Sequence, residues 1–185
     1  MPTKRKRSNL KTKTMAKIFS YNIARFVVLV MLQVFLFKNM GYYNLATPFP
    51  YILFILLLPV GIPNFILFCL AFLTGITVDA FYDTLGVNAA ACAALAWGRI
   101  LFIRITLQSD QHESYMTPLV GNVPFTWYFL YVSVLALFHH AVLFILETFT
   151  FHQFHYTVTR ILLSCIFTVV IILLFSLLFY RKKQR

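Results

Sequence analysis

Long apolar stretches separated by short polar connections make up most of this chain. A helix of about 20 apolar residues crosses the roughly 30 Å hydrocarbon core of a membrane. The stretches of this kind, with approximate bounds, are residues 18–37, 51–60, 64–82, 86–105, 125–147 and 157–180. They predict an all-α fold, a polytopic integral membrane bundle of about six transmembrane helices.

The stretch 51–60 is the shortest, and two prolines, Pro59 and Pro63, bracket its end. Proline is tolerated in the first turn of a helix, where Pro48 and Pro50 fit, but it interrupts a helix further along. This segment therefore either spans a locally thinned bilayer or enters the membrane only in part.

Composition excludes an ordinary soluble domain, because the 185 residues are 61% hydrophobic and only 11% charged, against about 25% charged in soluble domains. We expect one transmembrane domain over residues 18–180.

The net charge of +11 is concentrated in basic tails at residues 1–17 and 181–185. Lysine and arginine beside apolar segments orient helices and attract anionic lipid headgroups. The tails therefore predict contact with anionic lipids and no nucleic-acid partner.

Counting basic residues gives the orientation. With six helices and a cytoplasmic N-terminus, the inner side receives both tails together with Arg25, Arg99 and Arg104. That arrangement places fourteen of the sixteen lysines and arginines inside and leaves Lys38 and Arg160 towards the outside. An odd number of helices would expose the basic C-terminal tail outside, against the positive-inside rule. Both termini are therefore expected in the cytoplasm.

The third stretch carries acidic residues at helical spacing. Gly75, Asp79 and Asp83 stand four residues apart, so they share one face of a helix. A charged side chain at the centre of a membrane helix costs about 2.5–3.5 kcal/mol on insertion scales. Asp79 either makes a polar contact with a neighbouring helix, a partner or a solute, or reaches the outer interface. For Asp83 we prefer the interfacial position.

The fourth stretch carries small residues at the same spacing, namely Gly86, Ala90, Ala94 and Gly98. Such stripes let two helix backbones approach closely in lipid, where dispersion packing replaces the hydrophobic driving force. The short turn between the third and fourth stretches makes the third helix the expected neighbour. We interpret the stripe as a helix-packing surface.

The histidines do not predict a metal site. His139 and His140 are consecutive and point about 100° apart on a helix, so they do not chelate one ion from one face. His152 and His155 could share a face, but two histidines without a third ligand make a weak zinc site. We expect interfacial polar roles for them and no metal.

No catalytic motif or cofactor site is found in the sequence, and we expect no enzyme activity. The few ionisable groups in the apolar stretches do not make a set of nucleophile, base and orienting residue.

The three cysteines, Cys69, Cys92 and Cys165, each lie in an apolar stretch, which is typical of small packing residues. Glu147 and Arg160 flank one outer loop and either pair with each other or extend separately to headgroups.

Residues 72–91 resemble the rod shape-determining protein MreD family of bacteria. That family shows a similar Gly-x-x-x-Asp, here Gly75 to Asp79, then a short turn ending in glycine and a helix of small residues. Asn88 stands where the family often has histidine, which is a departure from its pattern. The second apolar segment between Pro50 and Pro59 also fits the family.

The resemblance implies a non-enzymatic, multi-pass subunit of the cell-wall elongation machinery in the bacterial cytoplasmic (inner) membrane, which scaffolds peptidoglycan synthesis and controls cell shape. Family members work with the bitopic protein MreC and, through it, with MreB and the synthase pair of RodA and a penicillin-binding protein. Their fold is thought to be similar to the substrate-binding subunits of energy-coupling-factor vitamin transporters. A small-molecule transport subunit is therefore the alternative, with Asp79 and either His139 or His140 as polar anchors.

Overall fold

The computed structural model describes residues 21–40, 46–107, 116–148 and 154–178. Within these ranges the chain is helical and has no β-strand, so the predicted all-α class is confirmed. Both basic tails and His152 lie outside the described residues. The helices are α1 (Tyr21–Asn39, ending in a 3₁₀ turn), α2 (Leu53–Leu56), α3 (Asn64–Tyr82), α4 (Val87–Thr106), α5 (Phe125–Thr148) and α6 (Phe154–Leu178).

Five of the described helices, α1 and α3 to α6, are long and apolar enough to cross a membrane. The predicted range 64–82 coincides with α3, and the bounds of α4 and α5 differ from the predicted ranges by one residue at most. Pro63 is extended and precedes α3, while Asp83, in the left-handed region at φ 56°, ends it. Gly86, at φ 83°, precedes α4. The chain is a multi-pass membrane protein.

The predicted helix 51–60 is longer than the observed one. Its residues form a 3₁₀ turn, Pro50–Ile52, and the four-residue helix α2, after which regular structure stops. Pro59 and Pro63 lack the N–H that would continue a helix, and their rings obstruct the preceding turn. We call residues 46–63, which contain α2, the crossing segment.

The crossing segment nevertheless traverses the bundle. Lys38 at the end of α1 donates from Nζ to the carbonyl of Phe81 at the end of α3, 2.5 Å away. Arg25 at the start of α1 donates to the carbonyl of Leu57, which lies seven residues before α3 begins at Asn64. Because α1 and α3 therefore run in the same direction, the chain between them must return from one end of the bundle to the other.

The crossing segment is also the centre of the hydrophobic core. Nine of its residues are between 0% and 6% exposed: Phe49, Tyr51, Ile52, Leu53, Phe54, Ile55, Leu56, Leu57 and Leu58. The outer faces of the long helices are apolar and exposed, as in Phe35, Phe65 and Leu174. Such faces suit contact with lipid. Tyr21 and Leu178 line one cavity, so the first and last described residues approach the same end of the bundle.

Candidate functional site

Helices α3 and α4 approach each other very closely at Gly75. A Cβ atom added there would lie 2.4 Å from the Cα of Ala89 and 2.6 Å from the carbonyl oxygen of Asn88. Real Cβ atoms do not come so near to backbone, so the contact requires glycine. Gly75, one of the predicted packing residues, is therefore where the two helix backbones meet.

One turn beyond Gly75, Asp79 points at the first turn of α4 and is only 4% exposed. Its carboxylate accepts hydrogen bonds from the backbone amides of Asn88 (3.0 Å to Oδ1) and Ala89 (2.9 Å to Oδ2). The side chains of Thr84 and Asn88 donate to Oδ1 as well. Amides in the first turn of a helix have no partner within it, and the helix dipole favours a negative charge there.

Asp79 thus caps α4 from the neighbouring helix. Four donors and the positive end of a helix dipole stabilise a charge that would be costly alone in the bundle. We call Asp79, Thr84, Asn88 and Ala89 the hairpin cap. Of the two positions considered for Asp79, the structure has the polar contact with a neighbouring helix. Asp83 is exposed at the end of α3 and does not belong to the cap.

A chain of hydrogen bonds continues from the hairpin cap to the centre of the bundle. The Tyr51 hydroxyl donates to Oδ1 of Asn88 at 3.0 Å and lies 3.2 Å from Nε2 of His139. Cys92 places its sulfur 3.6 Å from the same hydroxyl. The other ring nitrogen of His139, Nδ1, is buried and has no partner among the described residues.

His140 belongs to a separate contact, between α5 and α6. Its Nδ1 lies 2.7 Å from the carbonyl of Ala136, one turn back, and its Nε2 lies 3.1 Å from the hydroxyl of Thr168. That hydroxyl accepts the backbone N–H of Phe49 at 2.9 Å. Both histidines are fully buried, which corrects the expectation that they are interfacial. Within the described ranges no three histidine, cysteine or acidic residues could hold a metal ion.

The carbonyl groups at the end of α2 are satisfied by residues that sequence reasoning missed. Arg99 is 1% exposed and donates from Nη2 to the carbonyls of Leu58 and Pro59. Tyr131 donates to the carbonyl of Leu56 at 2.9 Å and accepts a bond from Nε of Arg99. Arg25 donates to the next carbonyl, that of Leu57, at 3.3 Å.

We call Arg25, Arg99 and Tyr131 the carbonyl-binding cluster. The last carbonyls of a helix have no partner within it, and in lipid each must find another donor. Arg99, which the charge count assigned to the inner side, is buried within α4. A signal existed, since the predicted helix 86–105 places Arg99 inside the helix, nearly two turns before its end.

The predicted stripe of small residues does not face α3. A Cβ atom added to Gly86 would have nothing within 4 Å, Ala90 is exposed, and Ala94 is half-buried. Gly98 lies against α5, where an added Cβ would be 3.1 Å from the ring of Phe138. Steps of four residues turn a helix by about 400°, so the stripe rotates by roughly 120° over its length.

The face of α4 that is buried instead follows mixed spacings of three and four residues. Its members are Asn88, Ala89, Ala91, Cys92, Leu95, Ala96 and Arg99.

Near the far end of the bundle, Arg160 pairs with Glu147 at 3.3 Å and lies over the ring of Phe144, so the pairing alternative is the observed one.

The fold and these contacts define an all-helical, multi-pass membrane protein whose buried polar side chains bind mainly its own backbone and one another. Comparison of the chain with known protein families, with curated proteins and with solved structures gives no match.

Proposed function

We propose that this chain is a non-enzymatic membrane subunit of the bacterial cell-elongation machinery, of the MreD kind, which scaffolds an MreC-like bitopic protein. Through that protein it acts with MreB, RodA and a penicillin-binding protein in controlling peptidoglycan synthesis and cell shape. The support from sequence is the resemblance of residues 72–91. Their most distinctive members, Gly75 and Asp79, make a close backbone contact and the cap of the α3–α4 hairpin.

The observation that carries the proposal is that the buried side chains of Asp79 and Arg99 are engaged in hydrogen bonds within the protein. Asp79 binds the first turn of α4, and Arg99 binds carbonyls of the crossing segment. A catalytic or transport site needs polar groups that are free to meet a substrate. Side chains engaged in this way stabilise a rigid bundle, which leaves the outer surface for partner proteins.

In this proposal the end of the bundle where Tyr21 and Leu178 lie faces the cytoplasm of a bacterium, and the protein lies in its inner membrane. The crossing segment adds a sixth passage to the five long helices, and an even number returns the chain to its starting side. The basic tails, at residues 1–17 and 181–185, then follow the positive-inside rule. A phosphatase fused to the C-terminus should be inactive, and phosphatase activity outside the cytoplasmic membrane would contradict this topology.

Co-expression in a rod-shaped bacterium tests the scaffold. The tagged chain should recover a single-pass, coiled-coil membrane protein after solubilisation and should restore rod shape to cells that lack their own subunit of this type. Asp79→Leu should weaken recovery because the hairpin cap is lost, whereas Asp83→Asn, which changes an exposed acid four residues away, should not. Full recovery and normal rods with Asp79→Leu would argue against a role of the hairpin in partner binding.

One observation favours the alternative, a small-molecule transport subunit: Nδ1 of His139 is buried without a partner among the described residues. A solute donor could bind that nitrogen. Screening the purified chain with vitamins for a rise in melting temperature tests this function. A specific rise that disappears in His139→Phe, together with no recovery of a single-pass partner, would favour transport over the scaffold.

A further inference from the structure

A cavity of about 300 Å³ lies between α1 and α6, near the end of the bundle where Tyr21 and Leu178 lie. Its floor is formed by the crossing segment and its walls are mostly aliphatic. The side chains that shape it include Val28, Leu32, Leu53, Leu57, Phe175 and Leu178. Val28 and Leu178 are largely exposed, so the apolar wall continues onto the outer, lipid-facing surface of the bundle.

One charged side chain, Arg25, also lines this cavity. Both of its hydrogen bonds within the described part of the chain come from Nη1, at 3.4 Å to Asn22 and 3.3 Å to Leu57. The ring of Tyr21 lies 4.8 Å from the guanidinium carbon. Among the described residues, the ion pair joins Arg160 to Glu147. No carboxylate of the described residues therefore lies within ion-pair distance of Arg25.

A guanidinium group has five N–H donors in a planar fork that matches a phosphate group. Arg25 uses one of its terminal nitrogens on the protein and, within the described residues, leaves Nη2 and Nε without an acceptor. It lies one helical turn from Tyr21, the first residue of the span. A phosphate at the membrane surface is therefore within reach of a side chain that extends towards the interface.

We propose that the cavity binds one anionic phospholipid, with its phosphate on Arg25 and an acyl chain against the aliphatic wall. The charge of the chain, +11, complements such a headgroup. A phospholipid meets both features with one molecule, because its phosphate is an acceptor for Arg25 and its acyl chain is apolar like the wall. This binding site does not depend on the proposed scaffold function.

Native mass spectrometry of the full chain, reconstituted with equal amounts of phosphatidylglycerol and phosphatidylethanolamine, tests the site. After mild delipidation the wild type should retain one phosphatidylglycerol with about tenfold preference, because phosphatidylethanolamine carries the same phosphate but also an ammonium group that cancels its charge. Arg25→Gln should reduce the preference to near one. Arg104→Gln is the matched control, because Arg104 is exposed at the same end of the bundle and does not line the cavity.

A second variant keeps the charge and fills the space. Ala24 lines the cavity, and Ala24→Phe should reduce retention of both lipids while Arg25 stays in place. Equal retention of the two lipids by the wild type would overturn the proposal. So would equal losses in Arg25→Gln and Arg104→Gln, which would indicate general surface charge. If Arg25→Gln does not fold, Ala24→Phe is sufficient as the test. Unchanged phosphatidylglycerol retention in the folded Ala24→Phe variant would then overturn the proposal.

Discussion

Polar groups are buried in two regions of this bundle, and their partners lie at very different distances along the chain. In the α3–α4 hairpin, Asp79 meets amides nine and ten residues away. In the crossing segment, the carbonyl of Leu57 meets Arg25 at a separation of 32 residues, and the amide of Phe49 meets Thr168 at 119. The hairpin therefore completes its polar contacts locally, whereas the crossing segment depends on the assembled bundle.

This difference decides how each region should respond to substitution. A local contact fails when its own few residues change, and the loss stays within α3 and α4. A contact assembled from distant helices fails when any one of them is altered or displaced. The predictions below compare the two regions, from the largest expected effect to the smallest.

Gly75→Leu should prevent the hairpin from closing. A Cβ atom at this position would lie 2.4 Å from backbone atoms of α4, which cannot move aside as a flexible side chain does. The cost should exceed the about 1–3 kcal/mol typical of overpacking. We expect little monodisperse protein in detergent by size-exclusion chromatography. Ala90→Leu is the matched control on the exposed face of α4, and an equal loss there would show that α4 tolerates no bulk anywhere.

Arg99→Met should be the most damaging single change in the carbonyl-binding cluster. It removes the donors to Leu58 and Pro59. The buried carbonyl of Leu58 is then unpaired, at about 1–3 kcal/mol, whereas that of half-buried Pro59 keeps the amide of Ile62. The melting temperature in detergent should fall markedly. Arg104→Met, which changes an exposed arginine in the same helix, should leave it almost unchanged. Similar melting temperatures for both variants would mean that water satisfies those carbonyls.

The variants Asp79→Leu and Asp79→Asn should separate two contributions to the hairpin cap. One is the hydrogen-bond acceptors of the side chain, and the other is its negative charge. Leucine leaves two first-turn amides of α4 unpaired and should cost about 2 kcal/mol, in the upper range for lost caps. Asparagine keeps one acceptor oxygen and should cost roughly half as much. Thermal melting in detergent measures both, with Asp83→Asn as the exposed control. If asparagine were as damaging as leucine, the negative charge at the helix end would be the dominant contribution.

Thr168→Val should have the smallest effect. It keeps the volume of the side chain but removes the hydroxyl that accepts the Phe49 amide, so we expect a loss of about 1 kcal/mol. Thr159→Val is the control, since that exposed hydroxyl binds, among the described residues, the carbonyl of His155 in its own helix. Hydrogen exchange at Phe49 is the sharper measurement, because only Thr168→Val should accelerate it.

Sequence reasoning worked best where the physics is local. The range of α3 follows from an apolar run between Pro63 and Asp83, and the spacing of Gly75 and Asp79 correctly places both towards a neighbouring helix. The stripe of small residues on α4 does not pack on α3, and only Gly98 packs closely on another helix, α5. A four-residue repeat drifts around a helix and so does not follow one neighbour.

The crossing segment could be anticipated only in part. Its length and its prolines indicated a weak span, and the parity of basic residues indicated that the chain nevertheless crosses. That Arg99 and Tyr131 bind its carbonyls depends on how α4 and α5 pack around it. No pattern within a single stretch encodes that arrangement.

The distance between partners has a consequence for the order of synthesis. When residues 46–63 leave the ribosome, Tyr131 and Thr168 have not been made, although both must bind backbone groups of that segment. Each unpaired group in hydrocarbon costs several kcal/mol, so the segment has no stable place inside the membrane until α5 and α6 arrive. Because α1 and α3 run in the same direction, however, the segment must already cross when α3 inserts. We therefore expect a chain released before α6 to cross with the Phe49 amide unpaired, and to be unstable in the membrane.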